Sequence, residues 1–352
     1  MYLYTIVFFI IQLIFTSYAK TSLFISSKSI QGLPEAQQDY VYTAPNTDKP
    51  VIAILCDGHG PYGDFIAETV ANDLEEQLNK AAFSENQNQN ILIIKKAFMV
   101  INTNLKNGIG SNAKTSGSTC IVVLLIDDYF YIAHAGDCRA IWGIGQDAQT
   151  KDHTGHNKTE AERIGIANLI GPEKRVGGKL SVTRAFGDFD LVNNGITAEP
   201  DVIIIPRTQA PFIIVGSDGL WDGTSKKLTK NAAQTNDNSL IYSLFYDTVI
   251  QDNDPVEVAC NRIIVAAICS TLVNRKKPLL HLFNTSKKNT LAKQITIKIG
   301  TVTEKNVLSK IDVYKKDLIL SLTNASLEKF IEKHSHYAHD NTTIICIYTN
   351  HS

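Results

Sequence analysis

The stretch Val51-Ile52-Ala53-Ile54-Leu55-Cys56-Asp57-Gly58-His59-Gly60 sets the frame for the rest of the chain. An apolar run of strand length stops abruptly at Asp-Gly-His-Gly. Such a run, bounded by turn residues, reads as a buried strand. The glycines let the backbone turn tightly and leave room beside it for a ligand. A carboxylate and an imidazole therefore stand at the mouth of a strand, next to bare backbone. Asp57 offers carboxylate oxygen and the Gly58 carbonyl a second, neutral oxygen, a set that suits a hard metal ion. The bland alternative is a tight turn after a core strand, with Asp57 capping it.

Further along, the pattern repeats. Four acids stand at element edges beside glycine or asparagine: Asp57, Asp137, Asp218 and Asp340, with Asp222 four residues after Asp218. Acids at strand ends bring charge to one rim of a sheet. Carboxylates gathered there repel one another unless a cation neutralises them. Oxygen-rich, thiol-free sites favour Mg²⁺ or Mn²⁺ over Zn²⁺. Two such ions about 3.5–4 Å apart share a water, lower its pKa and aim it at phosphorus.

Composition narrows the field. At 352 residues the chain has room for one large domain or two small ones. A formal charge of -1 argues against a general nucleic-acid binder. The six cysteines form no Cys-x-x-Cys pair, which speaks against a zinc site; most lie in apolar runs and read as reduced, buried thiols. Residues 2–19 are almost wholly apolar and end Ser17-Tyr18-Ala19, small residues of the kind a signal peptidase takes. Residues 1–19 therefore read as a cleaved signal peptide or an uncleaved anchor, which places the protein in the secretory pathway or on a membrane. The segment lacks a basic start, so a piece packed on the domain, a misassigned start codon and a cytosolic protein stay open. Asn-x-Ser/Thr acceptors occur at Asn157, Asn284, Asn324, Asn341 and Asn350.

In chain order, residues 22–26 and 41–43 read as strands, the second pairing like a hairpin with the Asp57 strand. Residues 64–83 carry Phe65, Ile66, Val70, Leu74 and Leu78 at helical spacing, and residues 90–105 carry Ile94, Phe98, Ile101 and Leu105. Two helices so closely connected should run antiparallel. Residues 121–126 read as a strand buried on both faces, and residues 129–133 as its return. Thr159 and Glu162 read as a capping box opening a helix over 159–170. Residues 201–205, 212–215 and 344–348 read as further strands, and 230–272 as mostly helical with a start at Asp254-Pro255. Residues 273–316 are rich in lysine with few acids. They read as an insert or long surface loop, either simply solvated or a docking surface for an acidic partner.

Seven motifs occur together and in order: Asp57-Gly58-His59-Gly60, Ser116-Gly117-Ser118-Thr119, Ala135-Gly136-Asp137-Cys138-Arg139-Ala140, Leu180 through Asp188 (Leu-Ser-Val-Thr-Arg-Ala-Phe-Gly-Asp), Glu199-Pro200-Asp201, Ser217-Asp218-Gly219-Leu220-Trp221-Asp222 and Asp340-Asn341-Thr342-Thr343. The set resembles the type 2C metal-dependent serine/threonine protein phosphatases over about residues 22–349, the insert excepted. That resemblance implies an α+β fold, a four-layer α/β/β/α sandwich of two antiparallel sheets flanked by helix pairs. It implies two Mg²⁺ or Mn²⁺ ions per subunit in a cleft at one end, with a looser third position, and phosphoprotein substrates. Asp57 would bridge both metals, the Gly58 carbonyl would bind one, and Asp218 and Asp340 the other. Asp39 matches the acid of the family's first motif and would reach the metals through water. Asp137 and Asp222 match the third position. His59 would protonate the leaving alcohol.

There are departures from the family pattern. A basic residue, most often arginine, usually stands about five positions before the first-motif acid and holds the substrate phosphate; here that place is Pro34. Loss of a guanidinium clamp should weaken phosphate binding. Arg184 or a lysine of the insert is the candidate substitute. Cys138 stands where serine is usual. Asn341 is a glycosylation acceptor beside Asp340, and a glycan there would crowd the cleft, so the sequon is expected to be unused. The rival to an enzyme is a binding module that keeps the fold with little catalysis. Nothing in the sequence specifies an oligomer, and a monomer is the default.

Overall fold

A computed structural model describes residues 22–32, 36–44, 48–143, 148–224, 238–274, 319–320, 323–335, 338 and 340–350. The segment 1–19, Pro34 and nearly all of the lysine-rich insert lie outside these residues. The strands in chain order are β1 (Ser22–Ile30), β2 (Asp39–Thr43), β3 (Val51–His59), β4 (Gly117–Ile126), β5 (Tyr129–Ala135), β6 (Arg139–Trp142), β7 (Leu169–Ile170), β8 (Arg175–Val176), β9 (Phe186–Gly187), β10 (Asp201–Pro206), β11 (Phe212–Gly216) and β12 (Thr342–Asn350). The α-helices are α1 (Gly63–Asn79), α2 (Gln87–Gly108), α3 (Lys158–Ile164), α4 (Asp218–Thr224), α5 (Ser239–Phe245), α6 (Val256–Asn274) and α7 (Asn324–His334).

Two antiparallel sheets form the centre. One has the order β1-β12-β11-β6; the other has the order β10-β5-β4-β3-β2, with β9 paired to β4. Strand alternation sorts the side chains into layers, because successive residues point to opposite faces. On β12, Ile345 and Ile347 join Ile213 and Val215 of β11 in the layer between the sheets, with Leu55, Ile121 and Val123 from the facing sheet. Ile344 and Cys346 point the other way, onto α5, α6 and α7. On β3, Val51, Ile54 and Cys56 face α1 and α2, whereas Ile52, Ala53 and Leu55 face the other sheet. The register of β3 against β4 shifts between Val51 and Ala53, and this bulge lets both Ile52 and Ala53 face the same layer. The result is the expected α/β/β/α sandwich.

The helices are amphipathic where the spacing predicts. Ile66, Val70, Leu74 and Leu78 of α1 and Ile94, Phe98, Ile101 and Leu105 of α2 are buried against the larger sheet. Asn86 caps α2 by accepting from the Gln89 N–H at 3.2 Å, worth about 1 kcal/mol. Helix α6 is apolar on nearly every side because it is covered by a sheet and by other helices. Among the described residues no helix is long and apolar enough to cross a membrane. Cys56, Cys120, Cys138, Cys260 and Cys346 are buried and unbridged.

Three local expectations need correction. The helix read over 64–83 ends at Asn79. The helix read over 159–170 spans only Lys158–Ile164, since Gly165 turns out of the helix at φ 84° and Leu169–Ile170 becomes a short strand. Its cap is Asn157, whose side chain accepts from the Thr159 N–H at 3.1 Å; Thr159 is thus inside the helix rather than at its cap.

Candidate active site

The site lies where several strand ends meet. Asp57 is near the end of β3, directly opposite Asp39 on β2 and Thr119 on β4. Asp137 follows β5, Asp218 opens α4 after β11, Asp222 lies one turn further on, and Asp340 precedes β12. The structure brings these six acids into one another's fields. Burial pushes the Asp57 carboxyl well above the usual carboxylate range, and the charges of Asp39, Asp218, Asp137 and Asp340 push it further. Burial likewise raises Asp218, with Asp137, Asp340, Asp222 and Asp39 adding to the effect. Asp137 is raised to about 7, chiefly by burial and then by Asp152. Asp39 is raised to about 6, again chiefly by burial, although hydrogen bonds from Thr343 and Ser217 oppose it.

Backbone approaches hold the cluster in place. A Cβ on Gly58 would lie 2.2 Å from the Gly63 carbonyl oxygen, so the strand end touches the start of α1 only because Gly58 has no side chain. The Gly58 N–H donates to the Gln38 carbonyl at 3.0 Å, and the Gln38 amide donates to the Gly60 carbonyl at 2.8 Å. The Ser217 hydroxyl donates to Asp39 Oδ2 at 2.9 Å and accepts from the Thr343 N–H at 3.0 Å, tying the ends of β2, β11 and β12 together. Asp340 Oδ1 accepts from the Asn341 N–H at 2.7 Å. Asn341 is buried; its amide donates to the Ala36 carbonyl at 3.0 Å and accepts from the Gly32 N–H at 3.4 Å. His59 Nε2 lies 2.6 Å from Asp188 Oδ2.

The donor set fits hard divalent cations. It is all oxygen and strongly acidic, and the leading charges acting on Asp57 and Asp218 are other carboxylates. Asp39 Oδ1 is buried with no hydrogen-bond partner among the described residues, a lone pair available to a water of a metal shell. The carboxylates do not form a tight three-oxygen cage. Mg²⁺ needs none, because it keeps several waters and takes only one or two carboxylates directly.

Among the described residues, the only three metal-type ligand atoms within 4.8 Å of one another belong to His134, His153 and Asp201. Their geometry does not suit an ion. The two imidazoles stack with centroids 4.4 Å apart and planes within 5°, so their in-plane lone pairs cannot converge on one point. His153 Nδ1 accepts from the Gly136 N–H at 3.2 Å, and its Nε2 faces Asp201 Oδ2 at 3.2 Å. This is a brace between β5, β10 and the loop that carries His153.

The guanidinium of Arg184 is engaged by groups of the chain itself. Its Nε and Nη2 bind Glu160 at 3.1 and 2.7 Å, and its Nη1 binds Asp201 at 2.8 Å and the Glu199 carbonyl at 2.9 Å. It is the centre of a largely buried ion-pair network, and the fork that phosphate would need is taken. Sequence reasoning assigned no role to Ser217 or Asp188. Both sit inside quoted motifs, but only the folded chain sets Ser217 against Asp39 and Asp188 against His59.

Comparison with known proteins agrees with this picture. Residues 30–240 match the Protein phosphatase 2C family. The chain is 31% identical over 208 residues to "Probable protein phosphatase 2C 2" of Arabidopsis thaliana, a stretch covering 56% of this chain and 53% of that protein. The structure of serine-threonine phosphatase 2C from Toxoplasma gondii superposes with a TM-score of 0.52 at 16% identity, covering 93% of this chain and 94% of the other. The catalytic domain of the phosphatase PstP, in complex with two manganese ions, superposes with a TM-score of 0.50 at 14% identity, covering 94% and 99%. At such identities the two structures speak for the fold. The family match spans more than half of the chain: this protein belongs to the protein phosphatase 2C family. It spans about half the length of the relatives that it matches in sequence.

Proposed function

We propose that the protein is a Mg²⁺- or Mn²⁺-dependent phosphatase of phosphoserine and phosphothreonine in proteins, working by direct attack of water without a covalent enzyme intermediate. The observation that carries this reading is the meeting of Asp39, Asp57, Asp137, Asp218, Asp222 and Asp340 at one end of the sandwich, with burial and mutual repulsion raising Asp57 and Asp218. Asp57, the Gly58 carbonyl, Asp218 and Asp340 would hold a pair of ions, with Asp39 behind a water and Asp137 and Asp222 at a third position. A bound pair supplies an activated water and neutralises charge on the phosphate. The chain's own part is to fix those oxygens, to shield Asp57 and Asp218 partly from water, and to hold His59 at the border of the cluster, where its charge acts on Asp137. His59 gives a proton to the departing alcohol oxygen. The relative of known structure with two manganese ions supports this choice of metal.

The second reading, a binding module with little catalysis, rests on Pro34 at the family's arginine position. A single assay separates the two. Hydrolysis of a phosphoserine peptide and of p-nitrophenyl phosphate is measured with Mn²⁺ and with EDTA, for wild type and Asp57→Ala. Mn²⁺-dependent turnover lost in the variant is expected; equal rates in all four conditions end the enzyme reading. The insert as a dock for an acidic partner and residues 1–19 as a route to the secretory pathway remain proposals of the same kind. Sequencing the N-terminus of the native protein tests the second.

A further inference from the structure

His59 and Asp188 are 129 positions apart, yet His59 Nε2 and Asp188 Oδ2 lie within a short hydrogen bond of 2.6 Å. The carboxylate is 5% exposed and the imidazole 27%, so the acid stands behind the ring, away from solvent. Several features that serve no other evident purpose build this contact. Asp188 adopts a left-handed backbone at φ 48°, a conformation uncommon outside glycine, although aspartate is among the residues that tolerate it. Its N–H donates to the Ser116 carbonyl at 3.0 Å and its carbonyl accepts from the Leu191 N–H at 2.8 Å. The Gly187 N–H before it donates to Asn102 Oδ1 at 2.9 Å. Gly117 stands opposite both His59 and Gly187 in the sheet. A Cβ there would fall 2.3 Å from Asp188 Oδ2 and 2.8 Å from His59 Nε2, so the pair forms only over a glycine.

We propose that Asp188 is the positioning residue of His59. It takes the Nε2–H, fixes the ring plane and tautomer, and thereby makes Nδ1 the nitrogen that serves the reaction. This rests on the phosphatase reading above. As water bonds to phosphorus, the bond from phosphorus to the seryl oxygen breaks and its electron pair stays on that oxygen. The oxygen takes the proton from Nδ1, and the proton lost by the water restores the ring. A carboxylate that orients a catalytic imidazole through its remote nitrogen is an established device in other enzymes.

The test compares leaving groups. A seryl alkoxide needs a proton to depart, whereas p-nitrophenolate does not. Asp188→Ala is expected to lower kcat on a phosphoserine peptide about 10²-fold, with a much smaller loss on p-nitrophenyl phosphate and KM within about twofold on both. Asp188→Asn, whose amide oxygen still accepts from Nε2–H, should recover much of the peptide activity. The His59→Ala/Asp188→Ala pair should fall no further than His59→Ala alone. Nitrogen NMR of the full-length wild type should show neutral His59 as the Nε2–H tautomer. Equal losses on both substrates, additive losses in the double variant, or an Nδ1–H tautomer each overturn the proposal. A wild type inert toward both substrates overturns the phosphatase reading and this proposal with it; an active wild type with unselective losses overturns this proposal alone.

Discussion

Asp39 and Asp57 stand directly opposite each other on the paired strands β2 and β3. Both are half-buried; the charge of Asp39 helps to raise Asp57, whereas a hydrogen bond with Asp57 works to lower Asp39.

Desolvation of the acids around this pair makes the metal-free protein sensitive to rising pH. Asp39 moves from 3.8 to about 6, and Asp137 from 3.8 to about 7. A carboxyl raised in the fold binds its proton more tightly there than in the unfolded chain. Its contribution is therefore fully present below 3.8 and is lost as pH rises through 6 and 7. In EDTA this component should lower Tm between pH 5 and pH 7.5. Saturating Mn²⁺ at about a hundred times its Kd should add about 2.7 kcal/mol at pH 7.5 and much less at pH 4.5. Calorimetry with and without Mn²⁺ checks this; an unchanged Tm at pH 7.5 would count against the site, and Asp57→Ala should abolish the metal response.

The Arg184 network gives the opposite sign. Burial alone would raise Glu160, but hydrogen bonds from Arg184, Arg163 and Thr183 more than offset it and hold the carboxyl down at about 2. A depressed carboxyl stabilises the fold above its unfolded value of 4.5, and the contribution is lost as pH falls through 2. It is on the order of 3 kcal/mol. Urea unfolding at pH 5 and pH 2.5 should show a steeper loss for wild type than for Glu160→Gln. Arg184→Ala should cost about 1–3 kcal/mol, because Glu160 loses two hydrogen bonds while Arg163 and Thr183 still hold it. It should leave KM for p-nitrophenyl phosphate within about twofold, since the guanidinium is engaged elsewhere; a tenfold rise would restore Arg184 as a phosphate ligand.

Asn341 should carry no glycan. Its amide nitrogen, the atom a glycan would need, is buried and donates to the Ala36 carbonyl. Mass spectrometry of protein made in a glycosylating host should find the site unmodified. Asn341→Ala should lower stability by about 1–3 kcal/mol, because it strands the Gly32 N–H and the Ala36 carbonyl.

Gly117→Ala should be far worse than Gly108→Ala. The added methyl at Gly117 would lie 2.4 Å from the Phe186 carbonyl and 2.3 Å from Asp188 Oδ2, whereas nothing lies within 4 Å at Gly108. Overpacking at Gly117 costs about 1–3 kcal/mol. At Gly108, near the end of α2, alanine should be neutral or stabilise by about 0.4–1 kcal/mol. Thermal melts of both variants decide it, and equal Tm values would show that the close contacts at Gly117 relax freely.

Much of this was legible in the chain. The strands around Leu55, Val123 and Ile345 announce themselves because a residue buried on either face of a sheet must be apolar. Helices α1 and α2 show their buried stripe in the spacing of Ile66, Val70 and Leu74 and of Ile94, Phe98 and Ile101. Element ends were less legible. Asn157 rather than Thr159 caps α3, since either residue offers a suitable oxygen and only the chain path selects one. Arg184 read as a cation near a motif; its engagement with Glu160 and Asp201 is a contact across long separations that no local pattern records.

The order of apolar runs and turn residues by itself marked most of the strands and the stripes of α1 and α2, because hydrophobic burial and strand alternation act locally and leave a periodic trace; the layering of those elements into a sandwich was implied only by the resemblance that the motifs carry. The motifs likewise marked which acids stand at strand ends. Only the tertiary structure decided that Asp39 faces Asp57, that Ser217 holds Asp39, and that Asp188 reaches behind His59. Those relations depend on register and on close backbone approach at Gly58 and Gly117, distances of a few ångströms that arise only when segments remote in sequence are brought into contact.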